Sequence, residues 1–338
     1  MQDGRRCWRE EGEPGVGSSA FVHHGCVYGG EEEFLRMAVP FIDGGLRREE
    51  PVLVATTPVN LDLVRTALGR HARNVDFAET AYFGRRPSQR VGAFTGYRHR
   101  HPRAARVRIL AEPVWSGRSA RQVEALECME SALNTVLAGS GIHMICPYDA
   151  RVVEPEIVGN AWRTHPHMVH GTDVAASPGY VDPVAFVRTR ASRLAGRPDD
   201  AVTLTFAGDL SRIRHAIVME TAMLGLAGEH LMIFSAAIGE LLTGTDADET
   251  GELPSVALWS RPGEVVCDIR LPATTALDPF IGLHPPTLDP RPGDGFWLAR
   301  QICDHLDVRP GADGTTVRLH TPTPRVDELH RGGSSSGG

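Results

Sequence analysis

The sequence contains no lysine, so all 35 of its basic residues are arginines. That bias indicates a GC-rich genome rather than a physical requirement, since only particular sites distinguish arginine from lysine. The acidic residues are in excess and the formal charge is −7, which argues against a general nucleic-acid-binding surface. A membrane helix needs about 18 consecutive apolar residues, and no stretch of the sequence is that long. Residues 1–16 do not resemble a signal peptide. We therefore expect a cytoplasmic protein.

Closely spaced cysteines are also lacking. The chain has no C-x-x-C pair and is too long for a disulfide scaffold. Several of the cysteines stand in apolar runs, which favours buried, reduced thiols. The six positions are 7, 26, 128, 146, 267 and 303.

The histidines give no clear metal signal. His165, His167 and His170 are closely spaced, but Pro166 and Gly171 suggest a loop, and no cysteine or carboxylate is near in sequence. A metal site needs several such ligands, so we expect a solvated loop. The neighbours His23 and His24 fall on a candidate strand, where adjacent side chains point to opposite faces. The sequence alone assigns no metal site.

A length of 338 residues favours two domains, and 41% hydrophobic residues suffice for packed cores. The composition changes between 172 and 200, where alanine, serine, proline, glycine and aspartate dominate. That change indicates a linker, with one helix at 183–194. The expected order is a disordered start at 1–18, a first domain at 19–172, a linker at 173–200, a second domain at 201–325 and a disordered tail at 326–338.

The first domain alternates candidate strands with helices of regular apolar spacing. This alternation predicts an α/β domain with a parallel sheet. The run at 51–56 is continuously apolar, as a strand buried on both faces should be. The expected strands are 21–24, 51–56, 107–111 and 142–149, and the expected helices are 31–46, 61–68 and 122–137.

Four segments, 27–34, 51–55, 111–115 and 146–149, make this domain resemble the MEDS (DcmR-type) sensory domain. That module is similar to a RecA-type α/β domain that has lost its phosphate loop. Where such a loop needs Gly-Lys-Ser/Thr after the first strand, this chain has two glycines and then three glutamates at 31–33. Three carboxylates there would repel a triphosphate, so no nucleotide is expected in this domain.

Two carboxylates of the first domain are candidate ligand contacts. Glu112 and Asp149 come at the carboxyl ends of candidate strands, the edge where open α/β sheets bind ligands. Either residue could instead cap a turn or pair with a neighbouring arginine. The resemblance implies a small-molecule ligand, but the sequence does not identify it.

The second domain is expected to pack helices on an antiparallel sheet, as an α/β sandwich. Its segments 238–244, 293–298 and 314–319 keep the order and spacing of the C-terminal half of a GHKL-type ATPase. They most resemble the anti-sigma-factor serine/threonine kinases of high-GC actinobacteria. The expected strands are 202–206, 256–260, 265–270 and 315–320, and the expected helices are 210–224, 231–242 and 296–305.

The resemblance implies a site for ATP and Mg²⁺. In that family a helix carries Glu-Leu-x-x-Asn, with the Asn on the same helix face as the Glu. The Glu acts on the nucleophile and the Asn holds magnesium. Glu240 matches the catalytic position, whereas the Asn position is Gly244. The implied nucleotide-binding residues are Thr243, Gly244, Gly293, Asp294, Gly295, Phe296 and Thr315.

Substitutions at the centres of these motifs indicate a degenerate nucleotide site. The carboxylate that binds adenine and its following glycine correspond to Leu271 and Ala273. Asp268 cannot replace that carboxylate, because an odd offset puts it on the other strand face. Asp294 places a negative charge where a phosphate should lie. We expect ATP binding weakened by about 3–6 kcal/mol, since each lost hydrogen bond to a charged group is worth about 1.5–3 kcal/mol.

Two functions follow from the resemblance. The first is a signalling regulator whose kinase-like domain controls transcription by binding a sigma factor or an anti-sigma antagonist protein. The alternative is an active ATP-dependent serine/threonine kinase. A small-molecule-binding scaffold without a sigma-factor partner is a third reading. No nucleic-acid or membrane partner is expected, and a homodimer is left open.

Overall fold

The computed structural model describes residues 20–83, 86–191, 196–206, 208–243, 253–272, 277–286, 294–303, 305–311 and 314–323. These residues divide into two compact units between Val187 and Arg188. None of the helices in these ranges combines the length and apolar character needed to cross a membrane. The ends interpreted as disordered lie outside the described residues, as do Cys7, Gly244, Ala273 and Gly293.

The first unit contains a seven-stranded sheet in the order β3-β2-β4-β5-β1-β6-β7. Every neighbouring pair is parallel except β6 with β7. The predicted α/β architecture is confirmed, and the predicted parallel sheet is mostly parallel, with one antiparallel edge strand. The strands are β1 Val22–Tyr28, β2 Val52–Thr56, β3 Asp76–Glu79, β4 Val107–Ala111, β5 Ile142–Asp149, β6 His167–His170 and β7 Asp173–Ala176.

Helices connect these strands, and the three long helices predicted from periodicity are confirmed. Helix α1 buries Phe34, Met37 and Phe41 on the predicted face and carries three glutamates in its first turn. Helices α3 and α5 were not predicted. The helices are α1 Glu31–Arg47, α2 Pro58–Leu68, α3 Pro87–Arg100, α4 Ala120–Val136, α5 Pro155–Thr164 and α6 Pro183–Ala191, with a 3₁₀ helix at Gly69–Asn74.

The expectation of a solvated loop at 165–170 is wrong. His165 is fully buried, and residues 167–170 form β6, which pairs with β1. Gly171 adopts a φ of +61°, so the chain turns directly into β7, which pairs back on β6. The first sheet therefore extends into the stretch interpreted as a linker, which also contains the predicted helix, α6.

Alternation along β1 and β5 gives the first sheet two different faces. On one face, Cys26 of β1 and Ile145 of β5 pack with α1 and α2. His23 and Cys146 occupy the opposite face, because side chains in a strand alternate. Both faces bury polar side chains: on the first, His143 of β5 lies against Phe41 of α1.

The second unit contains a separate antiparallel sheet in the order β11-β12-β10-β9-β8. The helix predicted at 296–305 ends earlier, at Ile302, because His305 already begins β11. The elements are β8 Val202–Thr205, α7 Leu210–Met223, α8 Gly228–Leu242, β9 Ser255–Arg261, β10 Glu264–Leu271, α9 Asp294–Ile302, β11 His305–Gly311 and β12 Gly314–Pro322.

Strand β10 fixes which residues face the helices of this unit. Cys267, Ile269 and Leu271 lie in the apolar core with side chains from α7, α8 and α9. Asp268 lies on the other face, as the strand offset predicted, and binds Arg318 of β12. The Asp209 side chain accepts a hydrogen bond from the Arg212 amide at 2.9 Å and caps α7.

Candidate functional site

Glu112 joins the carboxyl ends of three strands in the first unit. It directly follows β4, and its buried carboxylate accepts a 2.7 Å hydrogen bond from the hydroxyl of Tyr28, at the end of β1. It also accepts from the Thr56 hydroxyl at the end of β2, and from Asn60 Nδ2 at 2.9 Å. Three neutral donors therefore surround this carboxylate. The sequence leaves open a ligand contact, a turn cap or a pair with an arginine for Glu112, and among the described residues the structure shows neither of the last two arrangements.

A buried arginine lies beside this network. Thr80 donates from its hydroxyl to the Glu112 backbone carbonyl, and Arg90 Nη1 donates to the Thr80 hydroxyl at 3.0 Å. Arg90 is 2% exposed, and among the described residues its Nε and Nη2 atoms have no hydrogen-bond partner. The carboxyl edge thus combines the carboxylate of Glu112, which accepts several hydrogen bonds, with the guanidinium of Arg90, which uses only part of its hydrogen-bond donors.

Asp149 has a different environment at the end of β5. Its oxygens accept hydrogen bonds from Arg151 Nε and Nη2 at 2.8 and 2.7 Å, and from the Arg151 amide at 3.0 Å. These hydrogen bonds hold the pKa of Asp149 below its ordinary value, although burial opposes the charge. Asp149 therefore pairs with a neighbouring arginine, which was the alternative to a ligand role.

Below the carboxyl edge, four buried side chains from distant parts of the sequence converge. They are His23 of β1, Glu130 of α4, Cys146 of β5 and His165, which directly follows α5. None is more than 3% exposed. Gly25 of β1 makes room for them, because a Cβ atom there would lie 3.0 Å from the His165 ring.

The distances in this cluster, which we call the His–Glu–Cys cluster, are short. Glu130 Oε2 lies 3.5 Å from His23 Nε2 and 3.6 Å from His165 Nε2. Cys146 Sγ lies 3.4 Å from His23 Nε2. The four potential ligand atoms all lie within 4.8 Å of one another.

Burial governs the ionisation of the cluster. It lowers the pKa of His23 to about 4, and it raises the pKa of the Cys146 thiol. Burial also opposes charge on Glu130, but the proximity of His165 and His23 holds the pKa of this carboxyl below its ordinary value. At neutral pH the cluster therefore contains a neutral His23 imidazole next to a carboxylate.

Sequence reasoning missed this cluster because its members share no spacing. Of the three closely spaced histidines, only His165 enters it; His167 packs against His24, and His170 is exposed. One signal was present in α4, where Glu130 lies on the same buried face as Leu126 and Leu133. A carboxylate on an apolar helix face is rare unless it has a partner.

The second unit brings several predicted nucleotide-site residues together, mainly through backbone packing. Glu240 stands near the end of α8, and its half-exposed carboxylate lies 3.4 Å from Arg214 Nη2. Gly295, at the start of α9, packs directly on α8: a Cβ atom there would lie 2.5 Å from the Glu240 carbonyl oxygen. The Thr243 hydroxyl donates to the Gly239 carbonyl at 3.0 Å.

Other predicted members of this site lie in or beside the core. Phe296 is buried, and Thr315 is buried opposite Leu271 in the β10–β12 register. Asp294 begins α9 and is partly exposed. A cleft of about 320 Å³ opens next to Glu240. Its lining residues are Arg214, Val218, Met232, Ser235, Ala236 and Glu240.

The first unit is a mostly parallel α/β unit with polar groups at the carboxyl edge of its sheet, the edge where open α/β sheets bind ligands. Residues 22–166, which run from β1 to the residue after His165, match the family model described as MEDS, the MEthanogen/methylotroph, DcmR Sensory domain. The first unit therefore contains a MEDS sensory domain, as the resemblance implied, and this suggests a signalling regulator. No curated protein matches the chain.

Proposed function

We propose that this protein is a signalling regulator that couples its MEDS domain to an anti-sigma-factor-like unit of the GHKL/HATPase type. The MEDS domain senses a small molecule, and the second unit controls transcription by binding a sigma factor or an antagonist protein. Its nucleotide site is degenerate. The observation that carries this proposal is the contact between α8 and α9, where Gly295 packs on the backbone of Glu240.

That contact matters because a phosphate loop must leave room for phosphates in front of its amides. Here Gly295 instead packs α9 against the backbone of Glu240 in α8. The carboxylate of Glu240 is paired with Arg214, and Leu271, at the adenine position, is a core residue. Phosphoryl transfer depends on positioning and on neutralising charge, which this arrangement does not supply.

The element order supports the two fold assignments in the proposal. Two helices, a hairpin, a third helix and a second hairpin follow β8 in the second unit, in keeping with a GHKL-type sandwich. In the first unit the central strand order β2-β4-β5-β1-β6 supports a RecA-like domain. Glu33 accepts a 2.7 Å hydrogen bond from the Gly29 amide, so a carboxylate occupies the phosphate-loop position.

Exposed methionines on the second unit support a protein partner. Met219 and Met223 are one helical turn apart on α7, and Met232 is on α8. All three are more than half exposed, Met223 by 81%. Exposed apolar groups commonly mark protein-binding surfaces, and methionine adapts to varied partners. We call these three residues the methionine surface.

This surface gives a test of partner binding. We expect full-length protein to capture a purified sigma factor or antagonist protein of the organism that encodes it, without ATP. Met223→Glu should weaken the capture about tenfold or more, because a charge enters an apolar contact. Tyr82→Glu in the first unit is the matched control, since Tyr82 is 74% exposed and should leave capture unchanged. Capture that needs Mg-ATP, or that both variants weaken equally, would contradict the proposal.

The second candidate function is an active serine/threonine kinase. It is favoured by one observation, the cleft of about 320 Å³ beside the half-exposed carboxylate of Glu240. A kinase would have to bind ATP with magnesium there and transfer phosphate to its partner. The two functions are therefore separated by ATP binding.

A further inference from the structure

We propose that the His–Glu–Cys cluster in the MEDS domain is a binding site for a divalent transition metal such as Zn²⁺. The ligands would be His23 Nε2, Glu130 Oε2, Cys146 Sγ and His165 Nε2. This inference does not depend on the proposed regulatory function, because it concerns only the first unit. It rests on the proton positions, the distances and the donor types.

The hydrogen bonds of His165 determine which of its nitrogens is free. Its Nδ1 lies 2.8 Å from the Ala161 carbonyl oxygen, which can only accept, so Nδ1 carries the hydrogen. In a neutral ring the lone pair is then on Nε2. In the part of the chain that the structure describes, that atom has no hydrogen-bond partner, and it faces Glu130 Oε2 at 3.6 Å.

The same reasoning applies to His23. Asn134 uses its Nδ2 group to donate to backbone carbonyls of α4 and α5 at 3.0 and 2.8 Å, which makes its Oδ1 an acceptor. His23 Nδ1, at 3.0 Å from this oxygen, therefore carries the hydrogen. The His23 Nε2 lone pair faces Glu130 Oε2 at 3.5 Å and Cys146 Sγ at 3.4 Å.

Two imidazole lone pairs thus point at one carboxylate oxygen inside a buried cluster. Glu130 Oε2 has no hydrogen-bond partner within the described ranges. Lone pairs repel unless a proton or a cation lies between them. The Cys146 thiol can donate its one proton to His23 Nε2, and a single proton on Glu130 could bridge to only one of the two rings. A metal ion between the four side chains would satisfy both rings, the carboxylate and the thiolate at once.

The donors and distances fit Zn²⁺. Zinc takes nitrogen, sulfur and oxygen donors at about 2.0–2.3 Å in a tetrahedron, whose ligand atoms are then about 3.3–3.7 Å apart. Three of the distances in the cluster are 3.4, 3.5 and 3.6 Å. Magnesium and calcium prefer oxygen donors alone, and a thiolate with two imidazoles does not suit them.

The surroundings have the features of a metal site as well. In such sites a histidine ligand usually donates its second N–H to a carbonyl or amide oxygen, which fixes its orientation. Here the Ala161 carbonyl and the Asn134 amide do this. The thiolate and carboxylate would neutralise a divalent ion.

The test uses the full-length protein after treatment with a chelator, titrated with Co²⁺ and then with Zn²⁺. We expect a single equivalent of Co²⁺ to bind with a sulfur-to-cobalt charge-transfer band and tetrahedral d–d bands, and Zn²⁺ to displace it. Cys146→Ser should abolish the charge-transfer band. His165→Ala should lower zinc affinity about 100-fold or more, and Asn134→Ala by about 10–100-fold, the usual effect of an outer contact.

Cys26→Ser is the matched control. Cys26 is a buried thiol of the same sheet, but it packs on the α1 face, so this variant should keep the cobalt spectrum. Circular dichroism establishes which variants fold. The proposal is overturned if the wild-type protein gives no thiolate-to-cobalt band, or if Cys146→Ser leaves that band unchanged. The wild-type spectrum decides even if a ligand variant does not fold.

Discussion

Replacing Asp268 by alanine is expected to lower the free energy of unfolding of the second unit by about 3–5 kcal/mol, because it leaves a buried cation without its carboxylate. Arg318 Nε and Nη2 donate to the two Asp268 oxygens at 2.5 and 2.7 Å, and the Arg318 side chain is only 3% exposed. The guanidinium also lies 5.0 Å from the Trp259 ring centroid. Asp268 is therefore a structural residue on the sheet face away from Glu240.

Urea unfolding followed by tryptophan fluorescence would measure this effect, since Trp259 packs beside Arg318. Glu240→Ala is the control in the same unit: its partner Arg214 is half exposed, and an exposed pair contributes about 0–1 kcal/mol. The double variant Asp268→Leu with Arg318→Met should recover much of the loss, because both charges are removed together. Equal stability of Asp268→Ala and the wild type would refute the assignment.

Glu112→Leu is expected to destabilise the MEDS domain by about 3–5 kcal/mol, because several buried donors lose one acceptor and each costs about 1–3 kcal/mol. The hydroxyls of Tyr28 and Thr56 and the amide of Asn60 all donate to this carboxylate. These residues hold the ends of β1 and β2 and the start of α2 next to β4. The loss should therefore affect the whole carboxyl edge.

Differential scanning calorimetry of the full-length protein would test this prediction. Glu112→Gln should retain part of the stability, because its amide oxygen still accepts. Asp149→Ala is the matched control at the same edge, and it should cost less than Glu112→Gln, since its main partner Arg151 is about half exposed. A larger effect for Asp149→Ala than for Glu112→Leu would mean that Glu112 does not hold this edge together.

The sequence predicted the regular parts of both units well. The local sequence pattern is enough to predict a strand from a continuous apolar run, as in β2 and β4. It is also enough to predict a helix from regular apolar spacing, as in α1. Helix α3 was missed because it is rich in arginine and buries Arg90 among few apolar residues. Strand β11 was missed because its sequence contains Asp307, Arg309 and Pro310 and lies at the edge of the sheet.

The candidate sites were harder to predict, for a physical reason. The placement of Glu112 and Asp149 followed from the rule that strand ends meet at one edge, and the structure puts both there. Their partners lie up to 84 positions away, so the spacing of the sequence did not reveal them. The His–Glu–Cys cluster needs four segments whose convergence depends on strand order, and that order is a property of the tertiary fold.

Calorimetric titration of the full-length protein with ATP, with and without magnesium, tests the central claim most directly. We expect no saturable binding up to about 1 mM ATP; a dissociation constant of about 1 mM corresponds to a binding free energy of about −4 kcal/mol. The reason is that Gly295 packs on Glu240 and Leu271 lies in the core. Magnesium-dependent, saturable binding in the micromolar range that Glu240→Ala weakens would contradict the account and favour an active kinase.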